Sequence, residues 1–120
     1  MNKKFVIAYL VFILVIAIIP INGKESTVNN TFVFSLRLDY IFHIILFSPW
    51  WLFKPKSYNK IRSWFVFGLL FAIFSELIQY FVPYRAFNIN DLIANCSGVI
   101  FGTFIFVLLK VFNNTKKVTN

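Results

Sequence analysis

Seven residues of this chain carry side chains able to do chemistry where chemistry is least expected: Asp39, His43, Glu76, Gln79, Arg85, Asp91 and Asn95. With Glu25, the three carboxylates among them are the chain's 4 acidic residues, and His43 is the single histidine. At helical spacing Asp39 and His43 (i, i+4) share one face, and Glu76 and Gln79 (i, i+3) share another. Asp91, Asn95, Gly98 and Gly102 run i, i+4, i+7, i+11 within an arc of about 60°. A histidine near carboxylates suits acid–base work, with His43, Glu76 and Asp91 as the catalytic candidates. An arginine beside amides suits phosphate or carboxylate recognition, and the whole set suits ligand binding.

The segments holding these residues are oily. Of 120 residues 59% are hydrophobic and 13% charged, with Phe alone present 17 times. A water-soluble fold of this size cannot bury that much apolar surface. Four stretches approach the roughly 17–25 apolar residues that cross a bilayer: 5–21, 36–53, 64–83 and 89–112. Unbroken apolar runs, rather than alternating ones, predict helices. The expected fold is therefore all-α, a four-helix transmembrane bundle forming a single domain over 1–120.

Charge sets its orientation. Lys3 and Lys4 precede the first stretch, Lys54, Lys56, Lys60 and Arg62 lie between the second and third, and Lys110, Lys116 and Lys117 end the chain. Only Lys24, Arg37 and Arg85 fall on the opposite side, so both termini are predicted to be cytoplasmic. The net charge of +8 is thus topological, and no nucleic-acid partner is expected. Trp50, Trp51 and Trp64 flank the basic loop, where indoles favour the headgroup level, and Tyr80 and Tyr84 match them on the outer side. "MNKK" before an apolar run resembles a signal peptide, but no small-x-small site follows, which favours an uncleaved anchor. The Lys, Asn, Ile and Phe bias points to an AT-rich bacterial genome, and "NNTKKVTN" reads as a solvated tail. The lone Cys96 is an apolar filler.

Placed in this topology, the polar residues meet at one depth. His43 lies about 6 Å below Asp39, and Glu76 about 10 Å below Pro83. Asp91 starts the fourth helix, with Arg85 in the turn above. A mid-bilayer ionisable group costs roughly 2.5–3.5 kcal/mol, so a shared outer-leaflet pocket is expected. Simpler roles stand beside it. Asn88 and Asp91 suit a helix N-terminus, Asp39 suits a helix start paired with Arg37, and Gly98 with Gly102 suits close helix packing.

Asp39 and His43, then "ELIQYFVPYR", then "DLIANCSGVIFG" resemble the VanZ-like family of small bacterial membrane proteins. Its pattern runs D-K-x-x-H, E-x-x-Q-x-x-x-P-x-R, D-x-x-x-N-x-x-G-x-x-x-G, and the match covers residues 39–102. Tyr40 stands where members often carry Lys, which leaves Asp39 in need of another partner. The resemblance implies a cell-envelope protein of the bacterial membrane linked to glycopeptide (teicoplanin) resistance. Three functions follow as expectations. One is binding of a lipid-linked wall precursor or lipoglycopeptide. Another is a membrane-embedded enzyme acting on an envelope lipid. The last is a helical partner subunit. No HExxH, G-x-S-x-G or phosphate loop is present, so no cofactor or metal is expected, although Asp39, His43, Glu76 and Asp91 are of a type that holds divalent ions.

Overall fold

The computed structural model describes residues 3–19, 32–33, 36–55, 60–85 and 87–118. The end of the first expected span, most of the 22–38 loop with Lys24, and Lys56 lie outside the described residues.

Apolar runs become helices, as their composition dictates. Helix α1 covers Lys3–Ile18 and is apolar around its circumference, yet it buries one stripe: Val6, Tyr9, Ile13 and Ala17. A minimal antiparallel pairing of β1 (Phe32–Val33) with β2 (Leu36–Arg37) interrupts the otherwise helical plan. Helix α2 covers Leu38–Phe47, α3 covers Ile61–Gln79, and α4 covers Ile89–Val118. Two helical segments, Ile61–Gln79 and Ile89–Asn114, are long and apolar enough to cross a membrane. Helix α1, with 16 residues or about 24 Å, is shorter.

The expected second span is not one helix. After Phe47 the chain tightens into a 3-10 helix, Ser48–Phe53, at Pro49. Proline has no N–H to give the Ile45 carbonyl four residues back. Ser48 Oγ donates to that carbonyl at 3.1 Å, and Tyr9 Oη of α1 donates to Leu46 O at 2.8 Å. In an apolar surround each open carbonyl would cost several kcal/mol, so these hydroxyls are what allow the break. At the other end, α3 stops at Gln79 rather than Pro83, and turns over 80–84 follow it before α4 begins at Ile89. The "NNTKKV" part of the expected tail continues α4 as helix to Val118.

The tryptophans do not form an outward-facing belt. Trp50, Trp51 and Trp64 are 0%, 6% and 1% exposed, packed inside the bundle. Each indole N–H has found a protein acceptor, which removes its need for water or headgroups. Trp50 and Trp64 stack at 4.9 Å and exchange bonds, Trp50 Nε1 to Trp64 O at 3.1 Å and Trp64 Nε1 to Trp50 O at 3.2 Å. Trp51 Nε1 donates to Thr103 Oγ1 at 2.6 Å. This aromatic floor, with Phe47, Phe71 and Tyr9, carries the polar region above it.

The surface polarity is inverted. Phe104, Leu109 and Phe112 of α4 and Phe74 and Leu77 of α3 are exposed, while Glu76, Asn95, Ser75 and Gln79 are buried. Water does not tolerate so extensive an apolar face, whereas lipid does.

Candidate functional site

The site begins where α2 meets β2. Arg37 precedes the helix in an extended backbone, which returns its guanidinium to Asp39 in the first turn. Arg37 Nε donates to Asp39 Oδ1 at 3.2 Å and Nη2 to Oδ2 at 2.6 Å. The same guanidinium lies 4.8 Å from the centroid of the Tyr40 ring. Tyr40 therefore holds the cation that serves Asp39 by a cation–π contact. The carboxylate's partner comes from two residues upstream instead of one downstream.

One turn on, His43 joins α2 to α4. Its Nδ1–H donates to Asn95 Oδ1 at 2.8 Å, since an amide oxygen only accepts. In the neutral ring Nε2 then presents its lone pair, and Asp91 Oδ2 lies 3.9 Å from it. Close approach of α2 and α4 permits this. A Cβ on Gly98 would stand 2.6 Å from Ile44 O, and one on Gly102 would overlap Ser48 O. The two glycines thus let the α4 backbone lie on α2, which brings Asn95 and Asp91 to His43.

Asn88 starts α4. Its carbonyl accepts from Asp91 N and Leu92 N at 3.1 Å, and its Oδ1 accepts from Asn90 N at 3.0 Å, the pattern of an N-cap. In the usual capping box a side chain three residues on would take the cap's own N–H. Here Glu76 of α3 takes it: Asn88 N–H donates to Glu76 Oε1 at 3.0 Å. Gln79 Nε2 donates to the other oxygen at 3.4 Å. Asp91 Oδ1 is buried with no hydrogen-bond partner among the described residues, while the Asn88 side chain hydrogen-bonds to the Asp91 carboxylate.

Arg85 has a structural task as well. It donates from Nη2 to Ile19 O at 2.9 Å, and Tyr84 Oη donates to Ile18 O at 2.9 Å. Carbonyls at a helix C-terminus lack intrahelical donors and bear partial negative charge, so a hydroxyl and a cation there close the end of α1.

These residues surround a cleft of about 630 Å³. Arg37, Asp39, His43, Gln79, Arg85, Asn88, Asp91 and Asn95 line its polar part, and Ile13, Ile16, Ala17, Phe42, Ile45 and Phe87 are among its apolar walls. The structure thus gathers Asp39, His43, Gln79, Arg85, Asp91 and Asn95 on one cavity. Glu76 is close to them but 0% exposed and stands behind the wall of the cleft. Gly98 and Gly102 lie below, at the helix contact. Among the described residues no three His, Cys, Asp or Glu side chains form a metal-holding group. Asp39 is engaged by Arg37 and Glu76 by a backbone amide, which separates the four residues of metal-binding type.

Sequence reasoning missed the α1 wall and Tyr9, because an apolar helix without a polar stripe gives no sign of which face it turns inward. Ser75, too, was overlooked; its hydroxyl donates to Ala72 O at 2.8 Å and leaves no periodic signature.

The VanZ/LLP1 family model matches residues 5–110 of the chain. No curated protein and no solved structure matches it. The family match takes in every element that builds the cleft, from α1 through most of α4. The chain belongs to the VanZ/LLP1 family.

Proposed function

We propose that this protein is a multi-pass protein of the bacterial cell membrane whose cleft binds the head of an envelope amphiphile, a lipid-linked wall precursor or a lipoglycopeptide, and thereby contributes to teicoplanin tolerance. The observation that carries this reading is the cleft's division into a polar part and apolar walls within one cavity. A wholly polar ligand would leave Ile13, Ile16 and Phe42 facing it, and a wholly apolar one would cover Asp91 Oδ1 without giving it a hydrogen bond.

The accompanying topology has four segments in the membrane, both termini cytoplasmic, and the link between α3 and α4 outside. It is supported by the flanking basic residues and by the exposed apolar faces of α3 and α4. Replacing Cys96 by Ala and adding Asn120→Cys tests it. A membrane-impermeant thiol reagent should label that variant only after the cells are opened, and labelling of intact cells would overturn the topology.

Binding is tested with the purified protein in lipid nanodiscs, using a lipid-linked wall precursor and teicoplanin as probes. We expect saturable binding that Ile16→Trp, which fills the cleft, weakens. Binding of neither probe would reject the reading. His43 supports a second function, acid–base catalysis on the bound lipid. Asn95 fixes Nδ1, so Nε2 is the nitrogen free to take a proton in the cleft. A product that forms with the native protein and fails to form with His43→Ala at saturating lipid would establish it.

A further inference from the structure

The mouth of the cleft differs in chemistry from its interior. Of the residues that line it, the exposed ones are all apolar: Ile16 (38%), Phe42 (54%), Ile45 (60%) and Phe87 (40%). No polar lining residue is exposed. Asp39, Gln79 and Asn95 are buried, and His43 and Asp91 are half-buried. Water at such a rim would meet hydrophobic side chains only, whereas lipid is at no disadvantage there.

Three of the four rim residues belong to α1 and α2, so the mouth opens on the flank between these helices. Tyr9 closes the lower end of that gap: its hydroxyl donates to Leu46 O at 2.8 Å, and its ring stacks on Phe53 at 3.9 Å. Above Tyr9, α1 offers the cleft Ile13, Ile16 and Ala17, whose side chains have neither donor nor acceptor. None of the three has a side-chain hydrogen bond that must open to admit a chain.

Resting on the cleft reading above, we propose that the cleft loads sideways from the bilayer. The head of an amphiphile enters between α1 and α2, and its apolar chain stays in lipid, passing Ile16, Phe42 and Ile45. The ligand is thus a molecule already anchored in the membrane, not a head group captured from water. A tail that remains in lipid exchanges one apolar surround for another, so its length adds little to affinity once the molecule is in the bilayer.

The test uses full-length protein in lipid nanodiscs and two probes with brominated tails, a lipid-linked wall precursor and teicoplanin. Bromine quenches indole fluorescence at short range. Ile45→Trp or Phe42→Trp puts an indole at the opening, and Phe74→Trp puts one on the exposed face of α3, off the cleft lining. With the native fluorescence subtracted, quenching at 45 and 42 should saturate and be reversed by unbrominated probe. Quenching at 74 should rise with the probe content of the bilayer and never saturate. In the native protein, a tail longer by about four carbons should change the affinity, expressed per mole of membrane lipid, by less than about twofold, where withdrawing those methylenes from water would give about two-hundredfold. That measurement needs no variant and stands even where a variant fails to fold. Saturable probe binding with the same unsaturable quenching at 42, 45 and 74, or an affinity that climbs steeply with tail length, overturns lateral loading and leaves the cleft reading intact. No saturable binding of either probe overturns both.

Discussion

Gly98→Ala probes the contact on which the site geometry rests. An added Cβ would lie 2.6 Å from Ile44 O, 2.9 Å from Phe47 Cβ and 3.2 Å from Ile44 Cα. A relaxed carbon–oxygen contact is about 3.3 Å or more, so α2 must withdraw by about 0.7 Å. Backbone on one side and a buried phenylalanine on the other leave no flexible chain end to yield. Overpacking of this kind costs about 1–3 kcal/mol, against a helix-propensity gain of about 1 kcal/mol for alanine over glycine. The expected net loss is about 1 kcal/mol. Gly102→Ala should lose more, because its Cβ overlaps the Ser48 carbonyl outright. The same withdrawal would stretch the 2.8 Å bond from His43 to Asn95 toward its limit. Denaturant titration in detergent, followed by tryptophan fluorescence, measures both variants. An unchanged or raised midpoint for Gly102→Ala, or a smaller loss there than at Gly98, would refute the packing argument.

Other consequences follow from single bonds. Tyr9→Phe leaves the Leu46 carbonyl open beside the 3-10 break and should lower stability by about 1–3 kcal/mol, read by the same titration. Glu76→Gln retains an oxygen for the Asn88 amide and should stay close to native stability, whereas Glu76→Ala should lose about 1–2 kcal/mol and fray the start of α4 by hydrogen exchange. Arg37→Ala strands Asp39, and Tyr40→Lys in the same chain should recover most of the loss, since a lysine there puts a cation next to the carboxylate; failure of that rescue in a double-mutant cycle would count against Arg37 as the partner that neutralises Asp39.

The helices were legible because their apolar runs are long and uninterrupted, and the polar set was legible because four ionisable residues in oil, Asp39, His43, Glu76 and Asp91, stand out from their neighbours. Asp39 with His43, and Asp91 with Asn95, could be placed by helical spacing alone, and the structure puts both pairs on the cleft. What spacing could not convey was which tertiary partners these groups take. Glu76 resembled a ligand-binding carboxylate, and only the meeting of α3 with the start of α4 delivers the Asn88 amide to it. Arg85 resembled a phosphate clamp, and only the position of α1 supplies the Ile19 carbonyl. Tryptophans near basic residues suggest a membrane interface by composition, while the reciprocal bonds of Trp50 and Trp64 depend on two chain segments meeting. Local pattern identifies which residues are unusual; tertiary contact assigns their partners.

The central claim is that an amphiphile lies against the α1–α2 side of this bundle with its head at His43 and Asp91. Its most direct measurement is photo-crosslinking to a lipid-linked wall precursor in native membranes, with benzoylphenylalanine placed either at Phe42 on the cleft or at Phe104 on the exposed face of α4. The account predicts strong labelling from position 42, competed away by unlabelled precursor, and only uncompeted background from position 104. Equal labelling at both positions, or labelling at 42 that excess precursor leaves undiminished, would contradict it.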